Sequence, residues 1–109
     1  MHPVAWLALA IVSEVVGTTA LKLSDGFTRL GWSGVVVVGY GLSFYAMAIA
    51  LRSIPLGVVY AVWSGIGTAA IVLIGFVLFR EVLDAVKLGG IGLIIVGVIL
   101  LNGSATAAH

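Results

Sequence analysis

Few residues in this chain could do chemistry, and the most exposed to question is Glu14. It lies in "AIVSEVVGTTALKLS" (10 to 24), inside a run that is otherwise apolar or small from Val4 to Leu21. An acidic group at the centre of a membrane-spanning helix costs about 2.5 to 3.5 kcal/mol even on the mild insertion scale. Such groups face a bundle interior or a water-filled cavity and mark functional paths. A protonated acid serving only as packing glue is the alternative, but a neutral Gln would serve that at lower cost. Thr18 follows one helical turn later, with Ser13 and Gly17 beside it, which reads as a polar, locally open face. No basic residue falls in the middle of any predicted helix. The counter-charge of Glu14 is therefore a proton or something that arrives from outside.

Aromatic residues supply the second kind of chemistry. "YAVWSGIG" (60 to 67) places Tyr60, Trp63 and Ser64 on one helix face at i, i+3 and i+4, and Tyr40, Phe44 and Tyr45 fall in the preceding apolar stretch. Ring faces attract organic cations by about 0.5 to 2 kcal/mol. For Phe44 and Tyr45 contact with lipid is the stronger reading, and Trp6 and Trp32 suit the membrane interface. Trp63 is about seven residues into its helix, deeper than a belt residue sits. Gly65 and Gly67 weaken the middle of that helix, where they permit a bend or close packing. His2 and His109 are terminal, no acidic or His cluster has ligand spacing, and there is no cysteine. With no nucleophile and base pair and no phosphate loop, no enzyme, metal or cofactor is expected.

The elements that must hold these residues follow from composition. The chain has 109 residues, 62% of them apolar, with five Lys or Arg and four Asp or Glu. A soluble domain would carry about a quarter charged residues. Four stretches approach the roughly 20 residues of a bilayer-spanning helix: 3 to 21, 32 to 51, 57 to 79 and 86 to 102. The expectation is an all-α integral membrane protein, a single four-helix domain over 1 to 109 with short loops. A net charge of +1 makes no electrostatic case for nucleic acid. The first stretch has no Lys or Arg before it and contains Glu14, so it reads as a retained helix rather than a signal peptide.

The breaks are "KLSDGFTRLGWS", "LRSIPLG" and "FREVLDAVK", and the tail "NGSATAAH" reads as frayed. Arg52 on one side against Lys22, Arg29, Arg80 and Lys87 on the other favours the first and third loops in the cytoplasm. Four helices are few to enclose a transport path and shield it from lipid, and self-association would solve this. Small residues at four-residue spacing let backbones approach. They occur at Ala61, Gly65 and Ala69 and at Gly39 and Ser43, while Gly90, Ile94, Gly97 and Leu101 lie along one stripe of the last helix. Packing within one chain explains each stripe equally well.

Glu14 with "GTTALK", then "DGFTRL", then "SIPLGVVYAVWSGIG", in four helices, resembles the small multidrug resistance family of transporters from about Val4 to Asn102. The resemblance implies a proton-coupled exporter of the bacterial cytoplasmic membrane, working as an antiparallel homodimer. A heterodimer with a similar chain is the alternative. It implies that Glu14 from both subunits binds proton and substrate in competition, with Tyr40, Tyr60 and Trp63 lining the pocket. Thr18, Ser43 and Ser64 are second-line pocket candidates. Gly65 and Gly67 match the helix-three bend, and Gly90 and Gly97 the helix-four dimer contact. The guanidinium-exporting branch usually has Trp three residues after the Glu. Here Gly17 stands there, followed by Thr18, as in the branch that exports quaternary ammonium and other lipophilic cations. Val4 occupies a position that is often Tyr in that branch, which puts the aromatic enclosure in doubt. The rival readings are a guanidinium or small polar cation exporter and a non-transporting membrane assembly subunit.

Overall fold

The computed structural model describes residues 2 to 107, with side chains through residue 103. Four helices account for nearly all of them: α1 (Pro3–Leu23), α2 (Leu30–Ala50), α3 (Leu56–Phe79) and α4 (Ala85–Ala107). All four are long and apolar enough to cross a membrane. They form two compact units, α1 with α2 and α3 with α4.

Local chemistry sets the helix ends. Pro3 opens α1 where its missing N–H costs nothing, and His2 caps it by accepting the Val4 N–H on Nδ1 at 3.1 Å. The turn after α1 hangs on Ser24, whose Oγ donates to the Leu21 carbonyl at 2.7 Å and accepts from the Phe27 N–H at 3.1 Å. Asp25, Gly26 and Phe27 are all left-handed, with φ of 49°, 69° and 68°. Asp and Gly accept this readily, whereas for Phe27 it is a strained choice. Pro55 ends the second loop and begins α3. At the far end of α3, Arg80 turns left-handed (φ 55°) and the Glu81 N–H returns to the Gly75 carbonyl at 3.0 Å. Asp84 then caps α4 by accepting the Lys87 N–H at 2.9 Å.

In the first unit, the buried positions on α2 are Val36, Gly39, Ser43, Ala46 and Ala50, alternating three and four residues apart. That spacing marks a narrow seam between two helices packed at a shallow angle. Opposite it α1 buries Leu7, Ala10, Ser13, Gly17 and Ala20. The closest approach is at Gly39, where an added Cβ would stand 2.9 Å from the Ser13 carbonyl oxygen and 3.0 Å from the Gly17 Cα. Ser43 Oγ donates to the Ala10 carbonyl across the seam at 2.7 Å.

The second unit is looser. Between its two helices, Gly65 of α3 stands against Ile94 and Val98 of α4, whose Cγ2 atoms lie 2.8 and 3.0 Å from a Cβ placed there. No α4 residue among those described is buried. The sequence expectation for the tail needs correction: α4 does not stop near 102 but continues as helix to Ala107. Ala105 and Ala107 favour helix enough to carry the short polar stretch along. His109 lies outside the described residues.

Candidate functional site

Glu14 is half-buried on α1, and its Oε1 accepts a hydrogen bond from Thr18 Oγ1 at 2.7 Å, one turn along the same helix. Thr18 Oγ1 also lies 2.7 Å from the Tyr40 hydroxyl on α2. A threonine has one hydroxyl proton. With that proton given to Glu14, the Tyr40 phenol is the donor in the second bond. The acid thus ends a relay of neutral hydroxyls that crosses from α2 to α1. The Tyr40 ring stacks near Phe44, with centroids 6.4 Å apart and planes 23° off parallel. Trp6 and Tyr45 meet edge to face at 6.1 Å.

The glycines of the seam make this relay reachable. A Cβ at Gly17 would lie 3.4 Å from both the backbone N and the Cδ1 of Tyr40. Gly17, expected to leave an open face on α1, is instead buried against α2. Its missing side chain serves close approach, and the approach brings Tyr40 within reach of Thr18. Ser43, expected beside the pocket, is wholly buried in the seam with its proton spent on Ala10.

Tyr60, Trp63 and Ser64 are brought together on α3 of the other unit. The Tyr60 and Trp63 rings meet edge to face at 5.8 Å, and Tyr60 is 61% exposed. Trp63 Nε1 is buried without a hydrogen-bond partner. Ser64 donates to the Tyr60 carbonyl at 2.7 Å, so its hydroxyl proton is held by its own helix. α3 runs unbroken through Gly65 and Gly67, with Gly65 packed on α4 and Gly67 buried. Cβ atoms at Gly90 and Gly97 would meet nothing within 4 Å. On the α4 stripe, Ile94 therefore packs on α3 while the two glycines point elsewhere. Among the described residues no His, Asp or Glu cluster could hold a metal ion.

The bond between Thr18 and Tyr40 is what sequence reasoning missed. The signal was present as Gly17 on α1 and Gly39 on α2, two residues without side chains that could meet.

The family model described as Small Multidrug Resistance protein matches residues 2 to 94. The chain is 52% identical over 97 residues to the quaternary ammonium compound-resistance protein QacE of Escherichia coli, covering 89% of this chain and 88% of that one. It is 50% identical over 95 residues to a putative ethidium bromide resistance protein of Salmonella typhimurium, covering 87% and 83%. With multidrug resistance protein EbrB of Bacillus subtilis it shares 44% identity over 109 residues, 100% of this chain and 93% of that one. With nearly its whole length matched and four helices able to span a bilayer, the chain belongs to the small multidrug resistance family, as a multi-pass transporter of the bacterial inner membrane and not an enzyme.

Proposed function

We propose that this chain exports lipophilic and quaternary ammonium cations in exchange for protons, the two competing for Glu14. The observation that carries the reading is the environment of that acid. It sits near mid-helix, hydrogen-bonded to the neutral Thr18 hydroxyl that also meets the Tyr40 phenol, an arrangement in which a cation that occupies the site balances its charge. A proton and an organic cation compensate the same charge, and binding one releases the other. Aromatic faces at Tyr40, Tyr60 and Trp63 favour a cation that is apolar outside its charge. The names of the relatives speak of quaternary ammonium compounds and of ethidium bromide, which are cations of this kind.

Gly17 supports this branch over guanidinium export. A Cβ there already touches Tyr40, so an indole at this position would not fit the seam as it is built. The functional unit we propose is an antiparallel homodimer, each chain a single four-helix domain over 1 to 109. Support comes from α4, which buries no described residue and leaves Gly90 and Gly97 uncovered.

The test is direct. Purified protein in unbuffered detergent solution should release protons when tetraphenylphosphonium is added, and cation affinity should rise with pH because fewer protons compete. Proteoliposomes of this chain alone should accumulate the cation against a gradient when a pH difference is imposed. Binding without proton release, or release without pH dependence, would remove the exchange.

A further inference from the structure

The seam between α1 and α2 has two sides. Two residues along a helix is a rotation of more than half a turn, so Val12 and Val16 emerge opposite Glu14 and Thr18. On that opposite side lies a groove of about 580 Å³ lined by Val12, Val16, Gly31, Gly34, Val38 and Leu42, among others, and open laterally. Nothing in the exchange of protons and cations uses it. Its depth comes from absent side chains, since Cβ atoms at Gly31 and Gly34 would meet nothing within 4 Å.

The span of the groove indicates what fills it. From Gly31, at the start of α2, to Leu42 is about 16 Å of helix, close to half of a hydrocarbon core about 30 Å thick. The groove thus begins at one membrane face and ends near the midplane, the depth of one leaflet. At its outer end stands Arg29, exposed, two residues before Gly31, and Lys22 closes α1 on the same loop. Asp25 is the one acid of that loop, leaving it net positive. An apolar channel one leaflet deep under a basic rim matches one acyl chain of a phospholipid with an anionic headgroup.

We propose that the α1–α2 groove is a specific site for an anionic phospholipid, the acyl chain lying along Gly31, Gly34 and Val38 and the headgroup phosphate at the Arg29 end. The site depends on the membrane placement of the chain and not on proton exchange, so it stands or falls separately from the transport reading.

Native mass spectrometry after mild extraction from a mixture of phosphatidylglycerol and phosphatidylcholine reads occupancy directly. The wild type should retain phosphatidylglycerol in fixed stoichiometry. Gly34→Leu, which fills the groove, should lower retention at least fivefold, and Arg29→Gln should erase the preference for phosphatidylglycerol. Gly92→Leu, equally unobstructed but on α4, should leave both unchanged. Should Gly34→Leu fold poorly, Val38→Cys in this cysteine-free chain carries a fluorophore instead. Brominated phosphatidylglycerol should quench it more steeply than brominated phosphatidylcholine, while a label at Leu93→Cys, on an exposed α4 position, should not distinguish them. Equal retention in wild type and Gly34→Leu, or equal quenching by the two lipids at Val38, would overturn the proposal. So would a Gly34→Leu variant that keeps its lipid but loses tetraphenylphosphonium binding or dimer yield, since the groove would then hold the transported cation or a second copy.

Discussion

The two helical hairpins of this chain are built to different standards. The first buries seven residues on α1 and five on α2, brings two glycine backbones into contact and ties the helices with a hydrogen bond from Ser43 to Ala10. The second buries three residues on α3 and none of the described residues of α4. Both are apolar, and lipid is as apolar as any side chain, so hydrophobicity alone does not bring the helices together. What differs is the placement of small residues. Gly17 and Gly39 face each other, whereas a Cβ at Gly90 or Gly97 would meet nothing within 4 Å among the described residues. The first hairpin uses closeness to fix the position of an acid, and the second leaves α4 with no buried residue among those described.

The sharpest way to break this comparison is to remove the acid from the tight hairpin. Glu14→Gln keeps the shape and the hydrogen bond from Thr18, but it can neither ionise nor exchange a proton. Proton release on cation binding and accumulation driven by a pH gradient should both be abolished, with expression and helicity unchanged. Uptake in everted vesicles, beside circular dichroism, checks both halves. A variant that still concentrates cations with proton coupling would show that the acid merely holds the hairpin together.

Next comes the seam itself. Gly39→Val should destabilise the first hairpin by about 1 to 3 kcal/mol, as overpacking does, because its Cβ alone would press on the Ser13 carbonyl. Gly97→Leu should leave the stability of the single chain nearly untouched. Its cost should appear instead as lower cross-linked dimer yield and lost transport. Denaturation in mixed detergents and cross-linking separate the two. If both variants lose stability in the monomer, the contrast between the hairpins is false.

Substituting Trp63 tests whether the looser hairpin contributes ring faces to binding. Trp63→Leu should weaken planar aromatic cations by roughly 2- to 30-fold, the range of a cation–π contact, and Trp63→Phe should fall between. Equilibrium binding of ethidium and tetraphenylphosphonium measures this. Equal affinities in wild type and Trp63→Leu would take the indole out of the site.

Helix number, type and most boundaries were legible because long apolar runs interrupted by Pro55, Asp25-Gly26 and a charged cluster admit little else. Glu14 was legible for the opposite reason, as the residue that fits such a run least. Illegible were the roles of small residues. A glycine offers no side chain whose chemistry declares a purpose, so Gly17 reads as an open face until α2 is seen lying on it. Asp84 and Lys87 read as a charged loop, although one caps a helix whose N–H the other donates. The end of α4 was missed because Ser, Thr and Asn in the tail argue against helix while the alanines between them argue for it.

The smallest expected effect falls on Ser43, and it sharpens the comparison by asking what a hydrogen bond inside the tight seam contributes. Ser43 Oγ donates to the Ala10 carbonyl, an acceptor whose other lone pair serves its own helix, so removing the hydroxyl leaves no buried acceptor unsatisfied. Hydrogen bonds between membrane helices average about 0.6 kcal/mol and reach about 1.7. Ser43→Ala should therefore lower stability by about 0.6 kcal/mol, leaving the cation profile as it was. Ser64→Ala, in the looser hairpin, removes a bond within one turn of a single helix and should change stability less still. Parallel denaturation curves for the two variants give the difference, and a panel of cations tests the profile. A shifted profile in Ser43→Ala with unchanged stability would place this hydroxyl in the pocket and assign closure of the seam to the glycines alone.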